Sequence, residues 1–151
     1  MHDVAVASSG RVLRPPLHPT FVSFPIACFV GTLLTDFAYW RSAEMMWADF
    51  SAWLIAAGVV LGWLAAILGI IDLVGRRYVL PSDRIWAYAI GHFVVLVLAT
   101  VNMLVHTRDA WTSVVPWGIG LSAITVVILI LTHWIGWLAL YRRAPDVVVV
   151  A

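Results

Sequence analysis

The sequence predicts an all-α protein, a transmembrane up-down-up-down four-helix bundle, and three observations lead there. Hydrophobic residues make up 63% of the chain and charged residues 11%, against roughly 45–50% and about 25% in an average soluble domain. So few polar groups do not cover a water-facing surface, and lipid is the natural solvent. Four apolar segments reach the length of about 20 residues that a hydrocarbon core about 30 Å thick demands of a helix. The connectors between them are short and collect nearly all the remaining charge, which forces neighbouring helices to run antiparallel.

The first helix is expected over approximately residues 20–40. Pro19, directly after His18, suits a first helical turn because its missing N–H would be unbonded there anyway. Pro25 falls early enough to be tolerated with a slight bend. The stretch is longer than a signal-peptide core and follows a mixed, polar beginning, so it is expected to remain as a helix rather than be cleaved. The second helix, 52–75, carries Gly58, Gly62, Ala65 and Gly69 at spacings of four, three and four, which places them on one face. Small faces let backbones approach closely in lipid. The stripe is therefore expected to be a packing seam in the bundle or a homodimer, or else room for the edge of a cofactor. The third helix, 84–106, has Ser82 after Pro81 in position for an N-cap. The fourth covers 114–141, and the whole chain, 1–151, reads as one domain.

All nine basic residues are Arg, and their distribution predicts orientation. Arg11, Arg14, Arg76, Arg77, Arg84, Arg142 and Arg143 fall on one side of the predicted bundle, and Arg41 and Arg108 on the other. The Arg-rich side, with both termini, is expected to be cytoplasmic. Trp40, Trp47, Trp53, Trp86, Trp111 and Trp117 lie at or near predicted helix ends, where an indole prefers the headgroup layer. Trp63, Trp134 and Trp137 lie deeper. A net charge of +1 gives no basic patch for nucleic acid. The single cysteine, Cys28, allows neither an intramolecular disulfide nor a multi-Cys metal site.

Ionisable groups at membrane depth need a partner or a purpose, and here they fall into two layers. One layer holds His18, Asp72, His92 and His133; the other holds Asp36, Asn102 and His106. In the second, an Asp36–His106 pair flanked by Asn102 is a sufficient structural explanation. Asp72 has Arg76 four residues on, the spacing of an intrahelical ion pair. His92 and His133 stand seven and eight residues from their helix ends, about 10–12 Å each, so the two imidazoles reach similar depth. Facing rings there suggest axial ligands of one b-type haem, with His18 as the alternative second ligand and Arg76 and Arg77 near the propionates. His106, fourteen residues beyond His92, has no second histidine to complete another pair.

Leu17-His18-Pro19, Phe24-Pro25-Ile26-Ala27 and Leu33-Leu34-Thr35-Asp36 resemble the bacterial membrane family called domain of unknown function 2231. Further matches are Ala57-Gly58, Ala65-Ala66, Gly69 and Asp72, then His92, then Gly136 with Tyr141-Arg142. Members look like four-helix proteins, some joined to iron–sulphur or quinoprotein sugar-dehydrogenase domains, which implies a place beside redox chains and quinone. The family tends to have a small residue where His133 stands, and Tyr-Arg-His-Gly where this chain has Tyr141-Arg142-Arg143-Ala144. The resemblance thus favours His18 with His92, while depth favours His92 with His133.

The expectation for function is a haem-carrying membrane subunit that passes electrons toward quinone, working with other redox subunits or as a homo-oligomer. With no nucleophile–base set or phosphate loop, the chain is not expected to catalyse a reaction alone. The alternatives are a cofactor-free accessory or anchor subunit, and a small metal-handling protein using His18, Asp72 and His92.

Overall fold

A computed structural model of the chain describes residues 17–75, 82–108 and 113–141. Four helices form an up-down-up-down bundle in which each packs against its sequence neighbours and the first closes on the last. All four are long and apolar enough to cross a membrane. Their outer faces are apolar, with side chains such as Leu34, Val60, Ile70, Phe93 and Ile130 exposed. That surface suits a lipid environment and would be untenable in water. The chain is a multi-pass membrane protein.

Helix α1 is the span His18–Ser42, with a brief interruption at Val22 between His18–Phe21 and Ser23–Ser42. Val22 keeps right-handed dihedrals (φ −65°, ψ −22°), and its N–H still bonds His18 O at 2.9 Å. The irregularity lies where Pro25 has no N–H to return to Phe21, as expected for a proline in the second turn.

The main difference from expectation is in α2, Met45–Val74, which begins seven residues before the expected position 52. The charges in 41–49 pointed to a connector. Instead Ala43 adopts a left-handed conformation (φ 54°), bonds Tyr39 O at 2.7 Å, and reverses the chain with Glu44. Asp49 and Phe50 are exposed on the first turns of α2. A carboxylate near a helix start is electrostatically acceptable, so it does not terminate the helix.

Helix α3 is Ser82–His106; the Ser82 side chain, and with it the expected N-cap, lies outside what the structure describes. Helix α4 opens with a wide turn, Val114–Gly118, and continues as Ile119–Tyr141. Val115 is extended (φ −117°, ψ 128°) because a residue before proline is pushed out of the helical region.

The small-residue stripe on α2 is an internal seam. A Cβ on Gly58 would meet Phe29 Cε1 at 2.6 Å and Cys28 Cβ at 2.9 Å, and one on Gly62 would strike Leu96. No cofactor edge fits where those side chains already lie. The seam continues into the mid-bundle core of Phe29, Ile55, Val59, Val95, Leu96, Ala99 and Leu129. This apolar plug separates the two polar layers, which are about 15 Å apart along α3 from His92 to Asn102.

Candidate functional site: two polar layers in the bundle

The first layer sits where α1 begins. Leu17, the residue that starts α1, offers no side-chain cap of its own. Asp72, fully buried near the end of α2, supplies one from across the bundle. Its Oδ2 accepts the N–H groups of Leu17 (2.6 Å) and His18 (2.8 Å). A carboxylate against two orphan donors at a helix N-terminus is favoured by charge-assisted bonding and by the helix dipole. The intrahelical pairing with Arg76 falls outside the described residues.

Held by this cap, His18 turns its ring into the bundle, and its Nδ1–H donates to Ala65 O at 2.8 Å. Gly69, one turn further along the small stripe, makes room for that ring, since a Cβ there would lie 3.2 Å from Nδ1. His92 Nδ1 donates to Tyr88 O and His133 Nδ1 to Leu129 O, both at 3.0 Å. A carbonyl only accepts, so each of the three imidazoles carries its hydrogen on Nδ1, and in a neutral ring Nε2 is then the acceptor. The His92 Nε2 is buried with no bonding partner.

The rings gather around His92. Its centroid is 5.1 Å from that of His133 and 5.6 Å from that of His18. Tyr88 packs against His92 at 4.1 Å and lies 6.0 Å from both of the other rings. Tyr88 was not singled out in the sequence. It lies four residues before His92 on the same helical face, which is the signal that could have found it.

With the rings as they stand, a haem between His92 and His133 would require them to move apart. Two axial imidazole nitrogens lie about 4 Å apart at metal–nitrogen lengths of about 2 Å, so their ring centres would stand further apart than the 5.1 Å seen for His92 and His133. Those rings touch each other instead of flanking a porphyrin, and the neighbouring cavity, lined in part by His18, Pro25, Ala65 and His92, holds about 30 Å³. Water-sized space of that order is far below the several hundred Å³ of a cofactor pocket. Arg76 and Arg77, expected near the propionates, lie outside the described residues. Among the described residues, no three His, Cys, Asp or Glu groups meet at one point as they stand.

The second layer is bonded across α1, α3 and α4. His106 Nε2 and Asp36 Oδ1 are 3.0 Å apart, and His106 Nδ1 donates to Asn102 O at 3.0 Å. Ser122 Oγ donates to Asp36 Oδ2 at 2.6 Å and accepts from Asn102 Nδ2 at 2.8 Å. The expected Asp36–His106 pair with Asn102 beside it is therefore present, with Ser122 as the member that sequence reasoning missed. A serine in an apolar helix carries no distinguishing signal until its neighbour is known.

The chain belongs to the family of predicted membrane proteins called domain of unknown function 2231, whose model matches residues 14–148. No curated protein and no solved structure matches it.

Proposed function

We propose that this chain is a small membrane protein that handles an imidazole-seeking metal ion at the histidine layer, through His92 with His18 and His133. One observation carries the reading: three imidazoles from three helices are each fixed through Nδ1–H on a backbone carbonyl, while the His92 Nε2 is buried and unbonded. Metal-binding histidines are oriented in this way, by donating the other ring nitrogen to a carbonyl or carboxylate. Two imidazoles on one tetrahedral ion stand about 5 Å apart at their centres, given bonds of about 2 Å, which is the spacing of His92 to its neighbours. Loading requires the His18 and His133 rings to turn toward His92.

Neutral imidazole suits zinc, copper, iron and nickel. Copper or iron would let the chain relay electrons within a membrane redox complex and toward quinone, the role its family resemblance suggests; zinc would not. The seven-to-two distribution of Arg supports placing this layer on the cytoplasmic side of a bacterial inner membrane, and reporter fusions at Ala144 and in the Ala43–Glu44 turn test that placement. Fluorescence from the turn fusion in the cytoplasm would reverse it.

The test of the binding reading is metal analysis and titration of the purified chain. One ion per chain, lost in His92→Leu, is the expected result; a metal-free protein that takes up none of the four ions contradicts it. The second reading is a cofactor-free accessory subunit. It is favoured by the direct ring contacts and by the fact that, among the described residues, three ligands do not converge.

A further inference from the structure

The second layer contains more oxygen than its own bonds use. Asp36, Asn102, Ser122 and Thr125 are 0%, 0%, 2% and 1% exposed, and they come from three helices. Asn102 Oδ1 and Thr125 Oγ1 have no bonding partner. Thr125 lies three residues beyond Ser122, on the same helical face. Orphaned buried oxygens are costly, and each calls for an explanation.

The donor count in this layer leaves a single position undetermined. Asn102 O only accepts, so His106 Nδ1 carries a hydrogen; Ser122 gives its hydrogen to Asp36 and takes one from Asn102. What remains is the 3.0 Å gap between His106 Nε2 and Asp36 Oδ1. Without a positive charge there, an imidazole lone pair would face a carboxylate oxygen in a low-dielectric interior, which is repulsive. One proton fills the gap and makes the layer neutral, whichever of the two residues holds it. That proton leaves Asn102 Oδ1 and Thr125 Oγ1 unused.

We propose that this layer binds a monovalent hard cation of the sodium class in exchange for the proton shared by Asp36 and His106. The ligand set would be the Asp36 carboxylate with Asn102 Oδ1, Ser122 Oγ and Thr125 Oγ1, oxygen donors of the kind hard cations prefer. Charge balance sets the valence. One cation enters as one proton leaves, so the layer stays neutral, whereas a divalent ion would leave an uncompensated charge at membrane depth. Asp36 and His106 are the titratable groups that meet within the layer. Tyr39 is buried one turn along α1, and Arg41, Glu44, Asp49 and Arg108 are exposed at the same end of the bundle.

The site is independent of the histidine layer, and its test does not involve transition metals. The thermal midpoint of the purified full chain in detergent is followed in sodium chloride and in choline chloride of equal ionic strength, at mildly acidic and at alkaline pH. Sodium is expected to raise the midpoint at alkaline pH, where the proton is scarce, and to have no effect in acid. Thr125→Val, read against its own choline reference, is expected to weaken the sodium response about tenfold, the usual scale for a lost supporting ligand. Sodium binding by the wild type is measured in parallel with radioactive sodium. Midpoints that coincide in the two salts at both pH values, with no bound sodium, would assign the orphaned oxygens to a buried water and overturn the proposal. A sodium shift of equal size in Thr125→Val would also overturn it.

Discussion

The two polar layers of the bundle draw on similar residues, yet one is closed and the other open. In the Asp36 layer the ionisable groups bond each other: carboxylate to imidazole, with Ser122 and Asn102 completing the ring of contacts across three helices. In the His92 layer the imidazoles bond only backbone carbonyls, and their rings pack against one another. The difference teaches which layer ties the helices together and which leaves imidazole nitrogen over. A closed ring of buried bonds stabilises only as long as every member is present. A set of rings each anchored separately can lose one with little structural consequence, and it has nitrogen left over for a ligand.

The contrast is most sharply tested by removing one member from each layer and measuring unfolding in mixed micelles. His106→Leu strands the Asp36 carboxylate without its proton-sharing partner, and a loss of about 3–5 kcal/mol is expected. Replacing Asp36 and His106 together by leucine should cost less than the sum of the two single changes, because no charge is then stranded. Asp72→Ala removes two charge-assisted bonds to the first turn of α1; a loss of about 2–3 kcal/mol is expected, with faster amide exchange confined to residues 18–22. His92→Leu gives up one bond to Tyr88 O but also removes a buried, unbonded nitrogen, so stability should change by no more than about 1 kcal/mol. A cost at His92 as large as that at His106 would erase the distinction. The smallest effect lies outside both layers: Ala43→Gly relieves a left-handed residue at the end of α1 and should stabilise by about 1 kcal/mol.

Much of this architecture is legible in the residues, because membrane burial writes helix length and polarity directly into the chain. The four spans, the depth match of His92 with His133 and the Asp36–His106 pair all follow from counting residues along helices. Three features do not follow. The start of α2 at Met45 depends on the left-handed turn at Ala43, and alanine gives no sign of that conformation as glycine would have done. The capping role of Asp72 depends on a contact 54 residues away with the His18 N–H, which no local spacing announces. The lateral spacing of the histidine rings is the third: depth and family resemblance set which imidazoles share a height, and neither sets the distance between them.

The most direct measurement is calorimetric titration of the purified wild-type chain and of His92→Leu with zinc, copper, iron and nickel ions, followed by optical and paramagnetic spectra of any loaded form. Saturable binding of one ion per chain, with imidazole nitrogen signatures that vanish in His92→Leu, is the predicted result. Equal binding by both proteins would contradict the assignment by placing the ion away from the histidine layer, and binding by neither would contradict it and leave the bundle as a cofactor-free subunit.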